Sequence, residues 1–464
     1  MLRWICIAAL LAGLSGGCGA NLRPVPSTSV EWTAMGGGAA RSWQGADLPL
    51  EAAPEIVWTR EAVSIYYAVA DGDRLYLAGH DPESQRETIR AIRLADGAEV
   101  WQSDVDPAND LVLAGGRLFR RGSAKEAPPP DAPGSDPSKK LQLVTRTMPF
   151  IEAVDAATGR LFWRHMLECE HATDILADAD HVYVICGGSG SGKAAVYALA
   201  TATGAMLWTS PLPFFGLPRH HALGMKPGLL LAAGETWSVE NGSATLLVAL
   251  TPADGRRLWQ HQLPGVAGWG RAYPDAVGGT TLAPGDFCIQ SAYKFYWWKQ
   301  YDELLAWDLS TGKLAWKRSA HTYELTETTD GGIATDGARI YINDRPAAGG
   351  EIHAFDLKTG WPLWQSSFNR KGPALSHPVV SGQAVMVLSG DGTLHGLAAA
   401  SGRAMWKVVL APFYKQRQFS RDPSNRVLVA GGKILVFNGQ TVWALKPAET
   451  VKEISGTPDK GGGM

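Results

Sequence analysis

Ala153-Val154-Asp155-Ala156-Ala157-Thr158-Gly159-Arg160-Leu161-Phe162-Trp163 places a small residue six positions before a glycine and a tryptophan four positions after it. The same register occurs seven times. Its tryptophans are Trp101, Trp163, Trp208, Trp259, Trp316, Trp364 and Trp406, which follow Gly97, Gly159, Gly204, Gly255, Gly312, Gly360 and Gly402. The small residues are Ala91, Ala153, Ala198, Ala249, Ala306 and Ala354, with Gly396 in the last copy. Asp, Thr or Ser precedes each glycine, and an apolar residue precedes each tryptophan. Glycine supplies the positive φ of a tight hairpin, so one strand ends there and the next begins by burying an indole. The small residue makes room for that indole, because packed interiors tolerate neither voids nor overlap. Each copy therefore reads as one blade whose tryptophan seals against its neighbour. A position repeated in every blade serves packing before it serves a ligand.

The tryptophans recur about every 40 to 60 residues, a period suited to four-stranded blades. An eighth copy is divided between the chain ends. Val427 to Val429, Ile434 to Phe437 and Val442 to Leu445 read as three strands, with Ala444 at the small-residue position. The missing half reappears as Ile56-Val57-Trp58, which makes Trp58 the eighth packing tryptophan. The expected fold is all-β: an eight-bladed β-propeller of four-stranded antiparallel blades over 54–447, its ring closed by the N-terminal strand joining the C-terminal ones. Closure in this way removes free sheet edges. An insertion within 123–140, where Ala127 to Lys140 is rich in Pro, Gly, Ser and Asp, reads as a mobile surface loop dispensable for folding. Residues 448–464 read as a flexible tail.

Ahead of the propeller, Arg3, the apolar run Ile5 to Leu14 and Ser15-Gly16-Gly17-Cys18 read as a signal peptide over 1–17. The apolar run is shorter than the ~20 residues that cross a bilayer. Small residues before Cys18 resemble the lipobox of bacterial lipoproteins and mark that cysteine for lipidation. Simple secretion is the alternative. Gly19, in place of Asp, points by analogy to an outer-membrane lipoprotein facing the periplasm. Residues 18–53, rich in Gly, Pro and Ser, read as a tether. A net charge of −2 and a pI near 6.6 leave no basic stripe for nucleic acid. Only the anchor is expected to touch membrane.

The segment Ala153 to Trp163, with Ala306 to Trp316 and Ala354 to Trp364, resembles the quinoprotein-type, or PQQ-like, propeller repeat. The resemblance covers roughly Pro54 to Pro447 and implies a fold more than a function. Two branches share the repeat: quinoprotein alcohol and glucose dehydrogenases, and non-enzymatic lipoproteins such as BamB of the outer-membrane β-barrel assembly machinery. The dehydrogenase branch implies adjacent cysteines, calcium ligands and a catalytic Asp around pyrroloquinoline quinone (PQQ). Here the cysteines are Cys6, Cys18, Cys169, Cys186 and Cys288, none adjacent to another, and no motif carries over the ligands or the base. The lipoprotein branch implies a scaffold with protein partners in the cell envelope, no catalytic residue, no cofactor and no metal. A PQQ- and calcium-dependent dehydrogenase is the alternative.

Cys169 and Cys186 flank the turn Ala177-Asp178 on two strands expected to form a hairpin, which in an oxidising compartment favours a disulfide closing a loop worth ~3 kcal/mol. Two separate thiols are the alternative, and Cys288 reads as a lone buried one. Gly187 to Lys193 has the glycine and lysine spacing of a phosphate-binding loop. However, Ala194 stands where Ser or Thr is needed, and a strand follows instead of a helix, so a hairpin loop is expected. His220-His221 point to opposite faces of a strand and lack a third ligand. Asp302-Glu303 and Glu324, Glu327 and Asp330 read as solvated loop carboxylates. Tyr293-Lys294-Phe295-Tyr296-Trp297-Trp298-Lys299-Gln300-Tyr301 lies outside the repeat register. As a projecting hairpin it would expose Tyr293, Phe295, Tyr296, Trp297, Trp298 and Tyr301 to a protein partner. Folding of these rings back over a blade is the other reading.

Overall fold

A computed structural model describes residues 44–448 except 62–63, 82–83, 85, 107, 126–146, 188–192, 216–221, 239–241, 263–276, 284–286, 297–298, 321–332, 345–349, 369–375, 390, 411–426 and 439–440. Every regular element in it is a strand, and the strands form eight four-stranded antiparallel sheets. The protein is an eight-bladed β-propeller. Blade 1 runs from Ser64 to Val105, blade 2 from Ala108 to Met166, blade 3 from His171 to Phe215 and blade 4 from Ala222 to Gln262. Blade 5 runs from Val277 to Ala320, blade 6 from Ala334 to Ser367 and blade 7 from Val379 to Val409. Blade 8 joins the two ends of the chain. Strand β1 (Glu55–Glu61) pairs with β32 (Thr441–Lys446), followed by β31 (Lys433–Phe437) and β30 (Val427–Ala430). Trp58 stands opposite Ala444, the partner its sequence implied.

Within each blade the first strand lies nearest the ring axis and the fourth is outermost. In blade 3 the middle strands, His181–Gly187 and Lys193–Ala200, are largely buried because neighbouring blades cover both sheet faces. This explains their nearly continuous apolar runs. Outer strands alternate instead, as in Leu161–Met166, where Trp163 turns inward while Leu161 and Phe162 face out. Arg117 lies 4.9 Å above the Phe162 ring and shields part of it. Leading off from the axis, turns between first and second strands and between third and fourth strands lie on one side of the ring, here called the turn face. Second-to-third connections and blade-to-blade crossings lie on the other, the loop face.

The repeat performs the packing expected of it. Each small residue is the direct cross-strand partner of its own tryptophan, from Ala91 and Trp101 to Gly396 and Trp406. Each of seven indoles lies over the turn glycine of the next blade. Its Nε1 donates to the carbonyl three residues before that glycine: Trp58 to Leu94, Trp101 to Ala156, Trp163 to Thr201, Trp208 to Pro252, Trp259 to Leu309, Trp316 to Leu357 and Trp364 to Ala399, at 2.9–3.1 Å.

Two sequence boundaries move. Ser123 to Lys125 continue a strand of blade 2 that runs from Arg117, because its register with Thr147 to Asp155 persists to Lys125 opposite Thr147. The insertion therefore begins after Lys125. The tether expected over 18–53 ends earlier, since Gln44 to Leu50 are docked on blade 7 through backbone bonds that a free linker would give to water. Residues 1–43, including Cys18 and the signal segment, and 449–464 lie outside the described residues.

Candidate functional site

The longest connections, between Lys125 and Thr147, Gln262 and Val277, Ala320 and Ala334, and Val409 and Val427, all join strand ends on the loop face. Turn-face connections are short, and the indole joint fixes those between third and fourth strands. The loop face is therefore where sequence can vary without breaking the ring.

The aromatic stretch also lies on the loop face. Phe287–Tyr296 (β19) and Lys299–Asp308 (β20) form a hairpin paired out to Tyr296 opposite Lys299. Its flanking strands stop sooner: Val277–Ala283 pairs no farther than Ala292, and Leu314–Ala320 no farther than Asp302. The positions of Tyr293, Phe295, Tyr296 and Tyr301 thus extend past the body of blade 5. Trp297 and Trp298 lie outside the described residues.

A cleft of about 620 Å³ between blades 1 and 2 is lined by His80, Arg86, Glu87, Asp104, Asp106, Arg120, Glu152 and Arg164. At its mouth Arg86 pairs with Asp104 at 2.7 Å. Beneath, buried Arg120 and half-exposed Arg164 both pair with buried Glu152. Arg120 also donates to the Asp106 carbonyl at 2.6 Å, and Arg164 to the Asp106 carboxylate at 2.6 Å. Both guanidiniums lie over Phe150, at 5.8 and 4.3 Å. Burial draws the Arg120 pKa down, and Glu152 only partly opposes this. For Arg164 the bonds to Asp106 and Glu152 outweigh burial and raise it. The charges answer one another across the crossing from blade 1 to blade 2, which makes this a polar joint. Sequence reasoning missed it, since its members come from strands whose pairing no spacing encodes.

A second missed feature was visible in sequence as Asp, then Arg or His three residues on, then Tyr two further. Asp71, Arg74 and Tyr76 form one copy, Asp178, His181 and Tyr183 another, and Asp336, Arg339 and Tyr341 a third. In each, the aspartate caps its turn by accepting amide bonds and receives the tyrosine hydroxyl at 2.8–3.1 Å. Tyr183 and Tyr341 also reach the next-blade carbonyls of Pro252 and Ala399 that the indoles use. Burial and the adjacent aspartate push these phenols well above their usual range.

Ser389, Asp391 and His395 are the residue types of a nucleophilic triad, but the hydroxyl is the hub. Ser389 Oγ lies 3.2 Å from His395 Nε2 and donates to Asp391 at 2.5 Å. A triad needs the carboxylate on the far imidazole nitrogen, so this arrangement caps a hairpin.

Cys169 and Cys186 form the expected disulfide, with Cα atoms 5.8 Å apart, and Cys288 is the expected buried thiol, its pKa raised by burial. Gly187 and Lys193 end and begin adjacent antiparallel strands, as the rejected phosphate loop required, while 188–192 lie outside the described residues. Asp302 and Glu303 lie on β20. His220, His221, Glu324, Glu327 and Asp330 are outside the described residues. Among the described residues no group of three His, Cys, Asp or Glu side chains is placed to hold a metal ion. The disulfide joins residues seventeen apart, unlike the vicinal ring of the quinone enzymes.

Solved structures similar to this one include BamB from Moraxella catarrhalis, with TM-score 0.55 and 15% identity over 85% of this chain and all of that one. They also include quinohemoprotein alcohol dehydrogenases from Pseudomonas putida HK5 (TM-score 0.59, 13% identity, 91% and 81% of the two chains) and Comamonas testosteroni (TM-score 0.57, 12% identity, 90% and 80%). At these identities the likeness is one of fold. In sequence, the outer membrane protein assembly factor BamB of Yersinia pestis is 28% identical over 116 residues, which span 23% of this chain and 27% of that protein. The family model described as outer membrane protein assembly factor BamB matches residues 147–319 and 300–452, and the chain belongs to that family.

Proposed function

We propose that this protein is a non-enzymatic scaffold of the cell envelope, held to the outer membrane through lipid on Cys18 and facing the periplasm, where it serves outer-membrane protein assembly. The family supports the process. The observation that carries the scaffold role is the β19–β20 hairpin, which runs past both flanking strands on the face that holds the long connections. Aromatic residues on such a projection give large contact area at low entropic cost and suit a protein partner. No catalytic residue and no cofactor enter this reading.

The test is crosslinking in intact envelopes from a photoreactive residue at position 296. Specific adducts with β-barrel assembly components are expected, and their loss in Trp297→Ala/Trp298→Ala at an unchanged melting temperature locates the surface. Capture that is unchanged in the double variant overturns the hairpin as the contact. Titration of the purified propeller with PQQ and calcium should give no heat of binding; tight binding with alcohol or glucose oxidation would make it a quinoprotein dehydrogenase instead.

A further inference from the structure

Seven inter-blade joints use a carbonyl from the turn between third and fourth strands. Blade 8 has no such turn, because its third and fourth strands, β32 and β1, are opposite ends of the chain. Trp406 of blade 7 should therefore lack an acceptor. Instead its Nε1 donates to the Leu50 carbonyl at 2.7 Å, and Leu50 is buried in a core that blades 7 and 8 share with their neighbours, blades 6 and 1.

The segment that delivers Leu50 is fastened at several points. Gln44 bridges in parallel to Val380, and Gly45 N–H donates to the Val380 carbonyl at 2.8 Å. Ser381 Oγ accepts from Leu48 N–H at 3.1 Å and donates to the Ala46 carbonyl at 2.5 Å. Gly382 N–H donates to Asp47 at 3.1 Å. Gly45 presses on Val429 of β30 so closely that a Cβ there would collide with that side chain. The segment thus spans both blades at the seam. Glu51, Ala52 and Ala53, all exposed, and then buried Pro54 link it to β1.

We propose that Gln44 to Leu50 are a detachable strap that supplies the missing turn of blade 8, and that the seam between blades 7 and 8 is where the ring opens when the strap leaves. β1 holds blade 8 together. The strap holds blade 8 to blade 7, and its link, exposed from Glu51 to Ala53, lets it withdraw while β1 stays paired. This device is independent of the scaffold reading.

Hydrogen exchange on the full chain tests it, comparing wild type with Gly45→Val and the milder Ser381→Ala. Exchange is expected to rise at least tenfold in Ala404–Val409 and Val427–Ala430, with none of that rise in Leu161–Met166 and His171–Ala177 of the blade 2 to blade 3 joint. A synthetic peptide covering residues 43–51 should restore protection to Gly45→Val. Should Gly45→Val fail to fold, Ser381→Ala carries the comparison alone. Unchanged exchange at the seam, or an equal rise at both joints, overturns the proposal.

Discussion

Gly204 has φ +72°, and an added Cβ would lie 2.6 Å from Cε3 of Trp163. Gly228 has nearly the same φ, +76°, with nothing within 4 Å. Gly228→Ala should therefore cost only the left-handed strain, roughly 1–2 kcal/mol. Gly204→Ala adds overpacking of roughly 1–3 kcal/mol against the indole, and urea denaturation of the two variants separates these effects. Asp178 offers a pH test. Burial pushes its carboxyl up, but the amides of Asp180 and His181 and the Tyr183 hydroxyl prevail and hold it below the usual range. A depressed carboxylate stabilises the fold above its unfolded pKa, ~3.9, and that contribution is lost as pH falls through the lower folded value. Melting temperature should thus fall more steeply below about pH 4 in wild type than in Asp178→Asn. The indole, glycine and alanine positions were legible in sequence because one joint imposes the same residue types in every blade. The aspartate and tyrosine pairs recur in only three copies and were overlooked, and the Arg120, Glu152 and Arg164 joint occurs once, with nothing to repeat.

Among the elements, the hairpin containing Cys169 and Cys186 is cross-linked beyond its strand register. Replacing both cysteines with serine should lower unfolding free energy by about 3 kcal/mol, measured by denaturant titration without reductant, and wild type with reductant should match the variant. Strand positions in blade 8 were readable to within a residue or two, since β30, β31 and β32 keep the apolar runs of buried strands. Hairpin β19–β20 was legible for the opposite reason, as aromatic density where the register called for none. The strap was not. Gln44 to Leu50 has neither alternation nor a repeat, and its glycines and polar residues resemble those of a linker. What holds it is backbone pairing to Val380 and to side chains more than three hundred residues away, which no local pattern reveals.

Across the whole molecule, the two termini meet in one sheet, so the position of the chain break is a detail of connectivity. A permuted chain that begins at Ser64 and carries Glu55 to Glu61 after Leu445, joined by an Asp-x-x-Thr-Gly turn that restores the repeat spacing between Ala444 and Trp58, should fold to the same ring. That turn would give Trp406 an acceptor in cis and make Gln44 to Leu50 redundant. Calorimetry should show one cooperative transition within a few degrees of wild type, and Ser381→Ala should cease to matter in that background. The natural order has a cost in time. Glu55 pairs with Lys446, about 390 positions later, and at ~5–20 residues per second of synthesis β1 waits roughly 20 to 80 s for its partner. Seven blades can assemble from neighbouring strands in that interval, and Trp58 can dock on blade 1 at Leu94 and Gly97 while β1 still lacks its strand partner. The newborn chain is most open to mispairing with a second copy during that wait, a hazard that grows with chain concentration, because β1 cannot pair before β32 exists.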